Sequence, residues 1–250
     1  MSRQVVLITG GSRGIGAAVA RLAAGRGYDV AVNFRTERGA AEAVAEECRA
    51  LGAAACTLAG DMSVEADIVR VFDEAERLLG PVRHVVNNAG ITGRSSRLEA
   101  ADTAVIRACI DLNVTGAILV AREAARRLAT GQGGPGGSIV NISSVAATLG
   151  SPGEYVWYAA SKGAVDALTI GLAKELAQEG VRVNAVSPGL VETEIHARST
   201  GDAGRMDRIA PLIPMGRIGQ PEEIAEAVLF LMSDGASYTT GANLRVTGGR

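Results

Sequence analysis

The sequence has few of the residues that build metal centres and covalent cross-links. Its 250 residues include two histidines, which lie far apart, and three cysteines, Cys48, Cys56 and Cys109, without metal-ligand spacing. This scarcity argues against a metal site and against a Cys–His nucleophilic pair. An odd number of unpatterned cysteines is typical of free thiols in a reducing compartment.

The sequence also lacks an excess of positive charge, aromatic side chains and long apolar runs. Its 25 Lys and Arg face 27 Asp and Glu, so nothing favours binding of a nucleic-acid backbone. Aromatic residues make up 3% of the chain, so the core must consist of Ala, Val, Leu and Ile. We identify no apolar stretch of membrane-spanning length and no signal peptide before the first apolar run. These features predict a soluble cytoplasmic protein with neither a membrane nor a nucleic acid as partner.

Short β-rich runs alternate with longer stretches of helical periodicity along the whole chain. The β-rich runs lie at 4–9, 29–33, 54–58, 84–87, 138–143, 182–187 and 243–246. This alternation predicts right-handed βαβ units and one α/β domain over residues 1–250, a doubly wound, seven-stranded parallel sheet flanked by helices on both faces. The stretch 192–214 is rich in Gly, Pro and charge, and we predict that it forms a lid over a substrate.

The segment 9–16 (TGGSRGIG) joins the first predicted strand to the first predicted helix. Glycine lets the backbone approach a pyrophosphate closely, and the helix amino terminus offers N–H groups to bind it. A tight turn that binds nothing would show the same glycines. The strand–turn–helix context favours a dinucleotide site. Its predicted residues are Gly10, Ser12, Arg13, Gly14, Ile15 and Gly16.

The end of the second predicted strand indicates which dinucleotide is bound. NAD enzymes place an acid there to hold the ribose 2′-hydroxyl, whereas this strand ends at Asn33 and continues to Arg35. A guanidinium pairs well with a 2′-phosphate, and Arg13 could assist. We therefore predict NADP(H), with NAD(H) as the alternative. Arg35 could equally be a solvated loop charge.

Tyr158 and Lys162 are spaced to share one face of a predicted helix. An ammonium beside a phenol favours the phenolate, so we expect a lowered pKa at Tyr158 and proton exchange with an alcohol or ketone oxygen. Ser144 follows the predicted strand that ends at Ile142, and ligands bind at the carboxyl ends of parallel strands. Alone, a Tyr/Lys pair of this spacing is common on helix surfaces.

The ordered combination of these segments resembles the short-chain dehydrogenase/reductase family over essentially the whole chain. The series is TGGSRGIG, Asp61, NNAG at 87–90, Asn113, Ser144, YAASK at 158–162, and Pro188-Gly189. The sequence is most similar to the branch of β-ketoacyl-carrier-protein reductases and glucose-1-dehydrogenase-like enzymes. The resemblance implies a Rossmann-type NAD(P)-dependent oxidoreductase that interconverts a carbonyl and a secondary alcohol by hydride transfer. It also implies a homotetramer or homodimer.

The resemblance implies a role for each matching residue. Tyr158 would be the general acid/base, Lys162 would lower its pKa and bind the nicotinamide ribose, and Ser144 would orient the substrate oxygen. Asn113 would hold a water that connects Lys162 to solvent. The other implied cofactor contacts are Asp61 and Met62 at the adenine, Asn88, Ala89 and Gly90 at the adenosine ribose, and Pro188, Gly189, Val191 and Thr193 at the nicotinamide amide and pyrophosphate, in addition to Asn33 and Arg35 at the second strand.

Three questions stay open at the level of sequence. Ser144 and Tyr158 are 14 positions apart, whereas many relatives have 13, so Ser143 is an alternative to Ser144. The alternative functions are a catalytically silent NADP-binding regulator of the same fold and an isomerase or dehydratase-type relative. No motif names the small-molecule substrate, which could be a β-ketoacyl thioester, a sugar or a small cyclic ketone.

Overall fold

The computed structural model describes residues 3–194, 199 and 204–250, and seven of its segments are β-strands. The strands are β1 Gln4–Ile8, β2 Tyr28–Phe34, β3 Ala55–Ala59, β4 Val82–Asn87, β5 Gly137–Ile142, β6 Val181–Pro188 and β7 Asn243–Val246. All neighbours pair in parallel in the order β3-β2-β1-β4-β5-β6-β7, which confirms the predicted doubly wound sheet. Strands β2 and β3 are added on one side of β1, and β4 to β7 are added on its other side. The strand order therefore reverses between β1 and β4, and a ligand crevice is expected at the carboxyl ends of these two strands.

Helices cover both faces of the sheet. They are α1 Gly14–Gly25, α2 Arg38–Ala50, α3 Glu65–Leu79, α4 Thr103–Ile110, α5 Ala117–Leu128, α6 Ala146–Leu149, α7 Val156–Leu176, α8 Arg205–Ile209 and α9 Pro221–Met232. Each face of the sheet has its own hydrophobic core, and strand β1 contributes to both. Successive side chains of a strand point to opposite faces of the sheet. Val6 and Ile8 pack with α1, α2 and α9, whereas Val5 and Leu7 pack with α3, α5 and α7.

A π-helical turn at Asp111–Gly116 joins α4 to α5. The combined segment Thr103–Leu128 is long and apolar enough to cross a membrane by length and composition, which corrects the expectation that no stretch qualifies. In the fold its apolar side chains Val120, Ala124 and Leu128 are buried in the core beside the sheet. One third of the apolar window is buried (33%), so part of the apolarity of this segment serves packing within the α/β layers.

The predicted lid at 192–214 is described in part. Residues 195–198 and 200–203 lie outside the described residues. The remainder contains α8 and a short 3-10 turn at Ala210–Leu212. Ile209, at the end of α8, lines a cavity at the carboxyl edge of the sheet.

His84 is buried in β4 within a network of neutral polar groups. Its Nδ1 lies 2.8 Å from Ser138 Oγ and its Nε2 lies 2.7 Å from Gln4 Oε1. The Tyr28 ring packs edge-on against the imidazole. Burial lowers the pKa of His84 to about 3, and the nearby Arg83 and Arg182 add to the effect.

We expect this histidine to make the fold sensitive to mild acid. The pKa is 6.5 in an exposed histidine and about 3 here, so between these values the unfolded chain binds a proton that the folded chain excludes. The free energy of unfolding should be fully retained above pH 6.5 and should fall by about 1.4 kcal/mol for each pH unit below it. Urea unfolding between pH 5 and pH 8 measures the slope. His84→Gln keeps hydrogen-bonding groups but cannot titrate, and an equal slope in that variant would contradict the assignment.

Candidate active site

Two adjoining cavities, each of about 510 Å³, open at the carboxyl ends of the central strands. One is lined by the ends of β5 and β6 and the start of α7, and we call it the Tyr158 cavity. The other is lined by the glycine turn and the end of β2, and we call it the glycine-turn cavity. Ile15, Asn88, Gly90, Thr92 and Thr193 line both, so the two form one continuous cleft.

Tyr158, Lys162 and Ser144 converge in the Tyr158 cavity. The first two lie on one face of α7, and Ser144 follows the end of β5. The Ser144 hydroxyl is hydrogen-bonded with the Tyr158 hydroxyl, and Lys162 Nζ donates to Ile142 O at 2.7 Å. Ser143 Oγ instead donates to Asp166 Oδ1 at 2.5 Å, so Ser144 is the serine that meets the phenol.

The electrostatics of this pair differ from the expectation. Burial raises the pKa of Tyr158, and the Ser144 hydrogen bond opposes that rise only in part. Lys162 Nζ lies 5.7 Å from the centroid of the Tyr158 ring and is bound to a backbone carbonyl, so it does not hold the phenol as phenolate. Burial also lowers the pKa of Lys162 to about 8. The phenol is therefore neutral near pH 7 and is suited to donate a proton.

Asn113 lies in the π-helical turn, and its side chain forms hydrogen bonds to two neighbouring segments of the chain. Its Oδ1 accepts the Ile91 N–H at 2.9 Å, while its Nδ2 donates to Ile91 O at 2.8 Å and to Ser161 Oγ at 3.1 Å. The amide therefore ties the segment after β4 to α7. Both hydrogens of the side-chain nitrogen have protein acceptors, so a water at this residue would be held by the second lone pair of Oδ1 or by the main chain.

The glycine turn has the shape that a pyrophosphate requires. Gly10 and Gly14 adopt φ values of +62° and +52°, in the left-handed region that favours glycine. A Cβ at Gly16 would lie 2.6 Å from Gly10 O and 2.7 Å from Asn88 Nδ2. The amino terminus of α1 opens directly from this turn. The turn and helix together therefore fit a dinucleotide phosphate group.

Two asparagines brace the turn from below. Asn33 is 1% exposed; its Oδ1 accepts the Gly10 N–H at 3.1 Å, and its Nδ2 donates to Leu58 O and Gly60 O. Asn88 Nδ2 donates to Thr9 O at 2.8 Å and to Gly10 O at 3.1 Å. Asn33, predicted as a cofactor residue, thus lies beneath the turn, whereas Asn88 both braces it and lines the cleft.

Arg35 lies at the rim of the glycine-turn cavity with 61% of its side chain exposed. Its Nη1 is 3.7 Å from Asp61 Oδ2, beyond hydrogen-bond distance. Asp61 also accepts hydrogen bonds from the Ser63 N–H and hydroxyl. Arg13 forms a similar loose pair with Glu194 at 3.7 Å. Both guanidinium groups therefore keep donors that could pair with a phosphate.

Most of the residues singled out from the sequence meet in this cleft. Those that line it are Gly10, Ser12, Arg13, Gly14, Ile15, Arg35, Asn88, Ala89, Gly90, Ser144, Tyr158, Lys162, Pro188, Gly189, Val191 and Thr193. Four others are buried and do not line it, namely Gly16, Asn33, Met62 and Asn113, and Asp61 is partly buried outside the lining. The sequence reasoning missed Ile142, whose carbonyl holds Lys162, and Asp166, one helical turn beyond Lys162. The i, i+4 spacing of Lys162 and Asp166 was the available signal.

Comparison with known proteins identifies the family. Residues 10–250 match the family model described as enoyl-(acyl carrier protein) reductase. The chain is 48% identical over 246 residues to the uncharacterized oxidoreductase YgfF of Escherichia coli K12, covering 98% of this chain and 99% of that protein. The chain belongs to the short-chain dehydrogenase/reductase family. As a member, it is an oxidoreductase with a NAD(P)-binding Rossmann fold.

Solved structures of this short-chain dehydrogenase/reductase family superpose along the whole chain. The 3-ketoacyl-(acyl-carrier-protein) reductase from Brucella melitensis, complexed with NADH, has a TM-score of 0.91 at 35% identity and covers 99% of this chain and 98% of its own. A short-chain dehydrogenase from Burkholderia cenocepacia J2315, in complex with NADP, has a TM-score of 0.90 at 31% identity and covers 100% and 98%. Both nicotinamide dinucleotides thus occur among the neighbours.

Proposed function

We propose that this protein is an NADP(H)-dependent oxidoreductase that interconverts a carbonyl compound and a secondary alcohol, with Tyr158 as general acid/base. The observation that carries the proposal is the convergence of Tyr158, Ser144 and Lys162 in a cavity that adjoins the glycine turn. A phenol, a hydroxyl and an ammonium can together hold and protonate one substrate oxygen. The silent-regulator alternative is not favoured, because all three groups are present and the compared relatives are oxidoreductases.

In the reductive direction, the substrate oxygen would accept hydrogen bonds from Ser144 Oγ and Tyr158 Oη. A bound nicotinamide would supply the hydride to the carbonyl carbon. Tyr158 Oη then gives its proton to the developing alkoxide, and the raised pKa keeps that proton in place until the negative charge forms. The Lys162 ammonium, 5.7 Å from the ring centroid, would stabilise the phenolate that results. The Ala146 N–H donates to Ser144 Oγ at 3.1 Å and orients it.

The proposed preference for NADP(H) rests on Arg35 and Arg13. Both line the glycine-turn cavity, and both keep guanidinium donors beyond hydrogen-bond distance of their acidic neighbours. Arg35 directly follows β2, where a ribose 2′-phosphate would lie in a doubly wound dinucleotide fold. A charge-assisted bidentate contact would favour the phosphorylated cofactor.

The test is oxidation of NADPH and of NADH with an acetoacetyl thioester, by the wild type and by Arg35→Ser. We expect turnover with a higher kcat/KM for NADPH. A hydrogen bond to a charged group contributes about 1.5–3 kcal/mol, so Arg35→Ser should raise the KM for NADPH by roughly 10–100-fold and leave that for NADH nearly unchanged. Equal use of both cofactors by the wild type would contradict the preference.

Arg38→Ser is a matched control for the loss of positive charge. The Arg38 guanidinium lies on α2 and packs over the Phe34 ring at 5.5 Å. Its removal should change the KM for NADPH far less than Arg35→Ser does. An equal effect of both variants would assign the preference to the general field of this region instead of to a contact by Arg35. Turnover of other carbonyl compounds but not of the thioester would move the proposed substrate to sugars or small cyclic ketones.

A homotetramer or homodimer in the cytoplasm is part of the proposal. Ile118 on α5 and Ile170 on α7 are apolar side chains that are 44% and 50% exposed. Both helices also carry small residues along their length, such as Ala117, Gly163 and Gly171. Surfaces of this composition can pair between subunits.

A further inference from the structure

Three polar side chains on α7 lie one helical turn apart and face the end of β5. Tyr158, Lys162 and Asp166 follow the i, i+4, i+8 spacing, which places them on one stripe of the helix. The end of β5 engages each of them: Ser144 bonds to the Tyr158 hydroxyl, Ile142 O accepts from Lys162 Nζ, and Ser143 Oγ donates to Asp166. The proposed mechanism uses the first two side chains and leaves the third without a role.

Asp166 connects three elements around Lys162. Its Oδ1 accepts the Ser143 hydroxyl at 2.5 Å and the Asn243 amide of β7 at 2.8 Å. The same Ser143 hydroxyl lies 3.3 Å from the backbone carbonyl of Lys162. The carboxyl group is half-buried, and burial raises its pKa while Ser143 and Lys162 oppose the rise. The hydrogen bonds hold the carboxylate one turn from the ammonium.

The groups that face Lys162 come from two helices. From α4, the Cys109 thiol lies near the ammonium, but burial raises the pKa of that thiol, so it is neutral around pH 7. From α7 itself come the neutral phenol of Tyr158 and the Asp166 carboxyl. Asp166 is therefore the group in this set that supplies a negative charge to offset the buried ammonium.

We propose that Asp166 is a positioning residue for the proposed reaction. Through Ser143 it fixes the end of β5, which in turn contacts Lys162 and Tyr158. Its negative charge also keeps Lys162 protonated. The catalytic part of this inference rests on the proposed function, but the effect on Lys162 does not. An ammonium buried without a counter-charge tends to lose its proton. Removal of the Asp166 charge should therefore lower the pH at which Lys162 deprotonates.

The chain offers a direct way to measure that pH. It contains only two lysines, Lys162 and Lys174, since the other cations are arginines. Lys174 is exposed near the end of α7 and serves as an internal reference. Competitive labelling with trace acetic anhydride across pH 6 to 11, followed by peptide mass spectrometry, gives a titration midpoint for each lysine.

Asp166→Asn keeps an oxygen for Ser143 and removes only the charge. We expect the Lys162 midpoint to fall by up to about one pH unit, because the opposite charge one helical turn away is lost. Asp166→Glu should restore most of the wild-type midpoint. The matched control is Glu175→Gln, which removes the same charge from α7 beside Lys174 and should leave Lys162 unmoved. If Asp166→Asn does not fold, Asp166→Ser provides the same neutral test.

The outcomes separate this inference from the proposed function. A folded neutral variant with an unchanged Lys162 midpoint overturns the inference, as does a Glu175→Gln variant that shifts Lys162 equally. If the wild type reduces a carbonyl, kcat should decline at alkaline pH. In Asp166→Asn the pH of that decline should be lower by the same number of pH units as the Lys162 midpoint. A uniform loss of kcat at every pH would indicate a merely structural role and overturn the catalytic part. Failure of the wild type to reduce any carbonyl would count against the proposed function alone, since the labelling does not depend on turnover.

Discussion

Replacement of Tyr158 by phenylalanine is expected to lower kcat by about 10³-fold, the usual scale for loss of a general acid. The change removes one hydroxyl and keeps the ring, which packs edge-on against Tyr155 with centroids 5.6 Å apart. The glycine turn is untouched, so the Kd for NADPH should stay within a few-fold of the wild type. Steady-state kinetics with an acetoacetyl thioester and fluorescence titration of NADPH measure the two quantities.

Tyr155→Phe is the matched control, because it deletes a second phenolic hydroxyl that lines the same cavity. Tyr155 lies just before α7 and is not on the stripe that carries Tyr158 and Lys162. We expect its loss to alter KM for the carbonyl substrate more than kcat. Retention of most of the activity by Tyr158→Phe, with loss in Tyr155→Phe, would transfer the acid/base role to Tyr155.

The position of this site could be predicted from the sequence because its motifs are local. The glycine turn follows β1 directly, and the Tyr/Lys pair lies within two turns of one helix. Parallel strands bring their carboxyl ends to one edge, so separate motifs that follow strands must meet there. This rule placed Ser144 at the cleft, whereas Asn88 and Pro188 were assigned to it by the resemblance to the short-chain dehydrogenase/reductase family.

The electrostatics and the choice between neighbouring serines could not be predicted in this way. Spacing on a helix shows that Tyr158 and Lys162 are close, but it does not show how far both are removed from water. Burial reverses the expected direction of the Tyr158 pKa, and the ammonium donates a hydrogen bond to Ile142 O. Ser143 and Ser144 differ by one position, and only the contacts with α7 distinguish them.

The bracing residues were also invisible to motif reasoning. Asn33 was predicted to contact a cofactor, yet it reaches Gly10 on one side and Leu58 O on the other. That role depends on the pairing of β2 with β3, which sets Asn33 opposite Leu58. A sequence pattern does not specify this register. From the sequence alone, a residue that supports the site from behind therefore cannot be distinguished from a residue that lines the cleft.

Gly16→Ala is expected to weaken dinucleotide binding by up to about 100-fold. The added methyl group would lie 2.6 Å from Gly10 O and 2.7 Å from Asn88 Nδ2, and Asn88 is itself hydrogen-bonded to Thr9 and Gly10. Backbone and brace must therefore move together, and forced overpacking of this kind costs about 1–3 kcal/mol. The Kd for NADPH and the thermal midpoint measure how that cost divides between binding and folding.

Gly25→Ala tests whether the effect belongs to the turn or to any glycine of α1. A Cβ at Gly25 would meet no heavy atom of the described chain within 4 Å, and alanine favours a helix over glycine by about 1 kcal/mol. This variant should bind NADPH like the wild type and should be equally or more stable. An unchanged Kd in Gly16→Ala would show that the backbone at Gly10 can move to accommodate the added methyl group. The close approach of α1 to the turn would then not be required for binding of the phosphate group.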